Sequence, residues 1–184
     1  AGHLGRKWAV FGSPLGSSLA RETLLSKDRS PSAVASSVLR NVSLYSATGV
    51  PFLTGALNDV LMTAHRWTGR DPNDPATTYG GARFRPQVAV RVDDSFVNLP
   101  SSLAVVLLAG VLLFRLDRGS RGRIGIWVLL VLAGGLIFCA LVRWQVFNVR
   151  FHLVGFLLLA PAVGVVLSQS LRRAALGAVV SGLF

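Results

Sequence analysis

Residues 99–116 are apolar apart from Pro100, Ser101, Ser102 and Arg115, and residues 124–142 hold no charge at all. Residues 153–167 are apolar again, and 174–184 begin a further such run. A bilayer core about 30 Å thick takes roughly 20 helical residues at about 1.5 Å each. The second run meets that length, the first nearly does, and the third does once Phe151 and His152 are counted. The pattern predicts three membrane spans, at about 99–116, 124–142 and 151–168, with a truncated fourth at 174–184. Pro161 falls inside the third and is expected to kink it. The fold class that follows is mainly α: a polytopic helical membrane protein fragment with an extracytoplasmic α-rich loop region.

Residues 1–98 follow another rule. They are mixed and polar, rich in Ser, Gly and Pro, and hold seven of the eight acidic residues. Pro31 and Ser32 followed by 33–48 read as a helix capped by Ser30 or Ser32, with Val34, Val38, Val42 and Tyr45 on one face. Gly49 and Pro51 stop it. A second helix is predicted over 53–67, with Leu57, Val60, Leu61 and Ala64 as its apolar stripe and Gly69 just past its end. Residues 71–75 (DPNDP) form a turn, because a residue before proline is pushed out of the helical region. Residues 87–92 alternate weakly, as a short strand does. Two amphipathic helices make a thin core for 98 residues, so this half is expected to pack on the membrane surface or on missing helices of the same polypeptide.

Charge then orients the chain. The sequence has 19 basic and 8 acidic residues, a net charge of +11, and a mean hydropathy of +0.55. The arginines are scattered, with no basic-aromatic module or zinc spacing, which excludes a nucleic-acid partner. Membrane lipid and phosphate groups suit them better. The loop 117–123 carries three arginines and 169–173 carries two, so both are read as cytoplasmic by the positive-inside rule. The polar half and the loop 143–152 then lie on the extracytoplasmic side of the plasma membrane. The lone Cys139 can form no internal disulfide. The first residue is not Met and the last apolar run is short, so the chain is read as a fragment of a larger polytopic protein.

The loop 143–152 gathers the residues best suited to chemistry. Arg143, Gln145, Asn148, Arg150 and His152 concentrate cations and hydrogen-bond donors between two spans, as a lipid-linked phosphate requires. Snorkelling arginines and aromatic anchors account for the same composition. Asp93, Asp94 and Asn98 stand just before the first span and are candidates for the acceptor side. Adjacent carboxylates on a strand point to opposite faces, so a solvated turn accounts for the acidic pair as well. His65 has no second His or Cys at ligand spacing, and no metal site or cofactor is expected. Gly-rich phosphate loops, nucleophile elbows and metalloprotease helices are absent from the sequence.

Five stretches occur in order: 6–17 (RKWAVFGSPLGS), 38–45 (VLRNVSLY), 65–78 (HRWTGRDPNDPATT), 92–100 (VDDSFVNLP) and 143–161 (RWQVFNVRFHLVGFLLLAP). Together they resemble the later part of bacterial polytopic glycosyltransferases of the GT-C type, the protein-mannosyltransferase-like group. Relatives carry an acidic-aromatic-Gly-Asn-Pro pattern where this chain reads DSFVNLP over 94–100. The resemblance implies transfer of a sugar from a polyprenyl-phosphate donor to a glycan or protein acceptor outside the cytoplasm. It also implies that the catalytic acidic residue lies in an earlier loop, so that this stretch is inactive alone. Arg143 and Arg150 would hold the lipid phosphate, with hydrogen bonds added by Gln145, Asn148 and His152. Two other classes fit the same spans: a transporter or channel fragment with the arginine loop as an anion gate, and a non-catalytic membrane scaffold subunit. The near absence of polar residues within the spans weighs against the transporter.

Overall fold

In a computed structural model the structure describes residues 3–13, 17–86, 106–110, 114 and 116–181. The described chain is mainly helical: α1 (His3–Phe11), α2 (Ser18–Leu24), α3 (Pro31–Ser43), α4 (Pro51–Trp67), α5 (Arg118–Leu141), a single 3-10 turn (Val146–Asn148) and α6 (Val149–Ser181). Residues 106–110 are helical as well. Among the described residues there is no strand, only isolated bridges at Leu25–Val142 and Thr78–Trp144. The expected strand over 87–92 lies outside the described residues, as does most of the expected span 99–116.

Local chemistry sets the helix ends. Ser30 caps α3 by accepting from the Ala33 amide, and Pro31 follows at the first helical position, where a missing N–H costs nothing. The helix stops at Ser43, five residues short of the expected 48. Beyond it Leu44, Tyr45 and Ser46 donate to carbonyls three residues back, and the hydroxyls of Ser43 and Ser46 take the Arg40 and Ser43 carbonyls. Serine hydroxyls competing for helical acceptors tighten and end the last turn. Pro51 opens α4 two residues earlier than the expected start, and Gly69 (φ +65°) follows its end in the left-handed region. The DPNDP stretch is the expected turn: Asp71 and Asp74 side chains accept from the Asn73 and Ala76 amides.

The long helices carry the apolar sequence. Asp117 caps α5 through the Ser120 amide, and Arg121 crosses to the carbonyls of Phe114 and Leu116. Arg118–Leu141 and Val146–Arg172 are both long and apolar enough to cross a membrane. Only 6% and 17% of their most apolar windows are buried, whereas the core helix of a water-soluble domain is mostly covered. Leu129, Leu130, Leu132, Leu136 and Ile137 all lie open on α5. In water such a face is a large apolar patch, of the kind that lipid or a partner surface covers.

Helix α6 runs unbroken to Ser181, through the 169–173 segment expected to be a loop between two spans. That segment (QSLRR) contains no Gly or Pro, and arginines are good helix formers, so positive charge marks an end of the apolar stretch without ending the helix. Pro161 is accommodated within α6. The ring leaves the Leu157 carbonyl without its amide, and Trp127 of α5 donates to the next carbonyl, Leu158, at 2.8 Å.

Helix α3 packs on both α4 and α5, and α5 packs on α6. One apolar cluster joins Leu44, Tyr45, Phe84, Trp144 and Val149, and a second joins Ala109, Leu116 and Val166. The first is centred on Trp144, fully buried, with Phe84 edge-on at 5.3 Å. It draws on both halves of the sequence, so the polar half and the hairpin of long helices share one core.

Candidate functional site

The segment that leaves α5 is stitched on both sides. Ser26 N–H donates to the Leu141 carbonyl and Arg143 N–H to the Leu24 carbonyl, while Trp144 N–H donates to Thr77 and Tyr79 N–H returns to the Trp144 carbonyl. These bonds, 2.8–2.9 Å long, fix the backbone of Arg143 between the end of α2 and the turn after DPNDP.

Next to it lies a wholly buried guanidinium. Arg40 donates to the Pro72 carbonyl (2.9 Å), Thr78 Oγ1 (2.8 Å), Thr77 Oγ1 (3.0 Å) and the Ser36 carbonyl (3.3 Å), and it stands 5.8 Å from the Trp144 ring centre. Burial lowers its pKa to about 10, partly offset by the charges of Asp74 and Asp71, so it remains a cation at neutral pH. A cation without a direct ion pair persists in a core only when its N–H groups are used, and here they are. Arg40 is structural: it orders Thr77 and Thr78, which in turn hold Trp144. Nothing in the local sequence marked it, because apart from the Ser36 carbonyl its partners lie more than 30 residues away.

Arg143 is the opposite case. Its residue is 9% exposed, its Nε has no hydrogen-bond partner, and no carboxylate pairs with it among the described residues. It lines a cleft of about 260 Å³ together with Asn73, Tyr79, Gly80, Gly81 and Arg83. Gly81 (φ +76°) lets the chain turn back there, and Ala82 N–H closes the turn on the Tyr79 carbonyl at 2.9 Å. Asn73 secures the far end, its side-chain oxygen accepting from the Phe84 amide at 2.7 Å.

The other residues selected from the loop go elsewhere. Asn148 is fully buried and donates inward to Asn41 Oδ1 (3.2 Å), and Asn41 in turn reaches Ser37 and Cys139. His152 meets the Tyr45 hydroxyl through Nδ1 and stacks on the same ring. Burial pushes the Tyr45 phenol above its usual range, which keeps its proton on oxygen. Arg150 is exposed and lies 5.4 Å over the Phe147 ring. Gln145 is half-buried, and its carbonyl accepts from the Asn148 amide. Of the five loop residues, only Arg143 faces the cleft. Asp93, Asp94 and Asn98 lie outside the described residues.

His65 is 3% exposed, with Nε2 2.8 Å from Ser36 Oγ and its ring stacked on Phe84. Among the described residues no three His, Cys, Asp or Glu side chains gather as metal ligands would. The residues that sequence reasoning passed over are Asn73, Tyr79, Gly80, Gly81 and Arg83. The Gly80–Gly81 turn and Arg143 line one cleft although about sixty positions of chain separate them. Comparison with protein-family models, curated proteins and solved structures returns no match.

Proposed function

We propose that this chain is part of an integral membrane glycosyltransferase that takes a sugar from a polyprenyl-phosphate donor and passes it to a glycan or protein acceptor outside the cytoplasm. The observation that carries the reading is Arg143: a nearly buried guanidinium, paired with no carboxylate among the described residues, held at the end of a membrane-length helix and lining a cleft. Lipid phosphate is an anion that lives at that depth, and guanidinium donors match its oxygens in bidentate fashion. When the bond between the sugar and the phosphate oxygen breaks, negative charge grows on the departing phosphate. Arg143 stabilises that charge in place, with little reorganisation because its backbone is already clamped. The acceptor hydroxyl loses its proton to a base supplied elsewhere in the polypeptide. Asn148 and His152 serve the same end indirectly, by tying the loop to Asn41 and Tyr45.

The test is transfer from radiolabelled polyprenyl-phosphate sugars by the intact membrane protein. A charged hydrogen bond contributes about 1.5–3 kcal/mol, so Arg143→Ala is expected to lower kcat/KM roughly 10- to 100-fold with the yield of folded protein unchanged. Undiminished transfer by that variant removes Arg143 from the reaction. No transfer by the native protein with any such donor removes the glycosyltransferase reading.

A further inference from the structure

We infer that the cleft between the 79–83 turn and Arg143 is a binding site for a phosphoryl anion, formed by Arg143 on its floor and Arg83 on its rim. The inference rests on reading Arg143 as a phosphate anchor, and it extends the site to residues 73–83, which no motif in the sequence marks.

Three observations carry it. The first is the state of Arg143. Its neighbour Arg40, wholly buried, spends its N–H groups on Ser36, Pro72, Thr77 and Thr78, whereas Nε of Arg143 has no partner among the described residues. Two buried arginines a few residues apart in space follow different rules. One is satisfied by the fold, and the other keeps an unpaired buried donor in a residue that lines an opening. An unpaired buried donor carries a desolvation cost that an incoming acceptor repays.

The second is the sign of the lining. Among the described residues the cleft presents Arg143 and Arg83 and no carboxylate. The acids of the adjoining DPNDP turn are occupied: Asp74 accepts from the Ala76 amide and lies 3.8 Å from Arg70, while Asp71 accepts from the Asn73 amide. Two guanidinium groups on one opening favour an anion with several oxygens over a single carboxylate.

The third is size. At about 260 Å³ the cleft is smaller than the pockets that enclose drug-sized ligands, typically 300–1,000 Å³. It takes a phosphate or diphosphate head with a few attached atoms and leaves any isoprenoid tail outside. The backbone clamps at Leu24, Thr77 and Tyr79 hold this geometry before a ligand arrives, which reduces the ordering cost of binding. A lipid phosphate and a free phosphate ester share this chemistry, so the site is defined by the phosphoryl group and its source is decided by experiment.

The experiment is calorimetric titration of sodium pyrophosphate into the intact protein held in nanodiscs of neutral phosphatidylcholine. Binding is expected, weakened at least about tenfold by Arg143→Lys, which loses the bidentate fork, and by Arg83→Glu, which reverses charge on an exposed rim residue without touching the core. Arg66→Glu makes the same charge change on an exposed face of α4 away from the cleft and is expected to stay within about twofold. Absence of binding by the native protein overturns the inference, as does equal weakening by Arg66→Glu, since the attraction is then diffuse. Polyprenyl phosphate added to the nanodiscs supplies the second arm. Competition with pyrophosphate assigns the site to a lipid head. Pyrophosphate binding that the lipid leaves unchanged keeps the site, assigns it to a soluble phosphate ester, and removes the lipid-donor role proposed for Arg143.

Discussion

His65 shows how a single side chain records its surroundings. Burial, and then the positive charge of Arg40, hold its pKa below the ordinary 6.5, against a smaller opposing pull from Asp71. The unfolded chain therefore binds a proton at higher pH than the fold does. Its contribution to stability is complete above about pH 6.5 and is lost as pH falls from there toward the folded value. The thermal midpoint of the protein in nanodiscs is expected to drop between about pH 7 and about pH 5, and His65→Gln is expected to flatten that slope. Equal slopes in the two proteins place the acid sensitivity on other groups. Asp28 has a separate window. The Ser30 amide and hydroxyl, and then Arg70, hold its carboxylate below the usual 3.8, so its contribution fades only as pH falls below that value. Neither effect was legible in the sequence, where His65 was one polar residue at the edge of an amphipathic helix.

Helices α3 and α4 bury their polar faces. Ser36, Ser37, Arg40, Asn41 and Ser43 are the interior of α3, and Thr54 and His65 that of α4, while Val42, Phe52, Leu57, Val60 and Trp67 are exposed. The 3.6-residue periodicity located both helices, because it depends only on sequence spacing. It carries no information on which stripe the rest of the chain will cover. Here the hydrogen-bonding side chains find one another, through Arg40, Asn41 and the DPNDP turn, while Val42 of α3 and Leu57 and Val60 of α4 stay open, Val34 and Val38 are half-buried, and Tyr45 joins the buried cluster. That arrangement suits a helix pair beside a membrane and is costly in water. The consequence is measurable with single cysteines in a Cys139→Ala background. Val60→Cys on the stripe is expected to react several-fold more slowly with a membrane-impermeant maleimide than Glu22→Cys on the exposed face of α2, in membranes open on both sides. Equal reactivity means that the stripe faces water.

Taken together, the fold is a hairpin of two long helices whose connecting loop is locked into the polar half. The apolar runs from 124 to 142 and from 153 onward were legible as long helices because composition alone specifies them. Arg143 was legible as a candidate because charge between apolar runs stands out. Its cleft was not, since Tyr79, Gly81 and Arg83 approach it only after Thr77–Trp144 and Leu24–Arg143 pairings form across long stretches of chain. The same holds for Asn41–Asn148 and Tyr45–His152, each joining residues 107 apart. These long-range polar contacts are what couple the loop to α3, and a coupling of that kind shows as non-additivity. Asn41→Ala and Asn148→Ala each remove one side of a buried hydrogen bond, leaving the other unpaired at a cost of about 1–3 kcal/mol. Removing both leaves no orphan of that pair, so the double variant is expected to lose less stability than the sum of the two, with an interaction energy of about 0.5–3 kcal/mol. Denaturation of the four proteins in the same nanodiscs measures it. Strict additivity means that the loop holds its place without Asn148, and that the stitching at Leu24, Thr77 and Tyr79 alone positions Arg143 over its cleft.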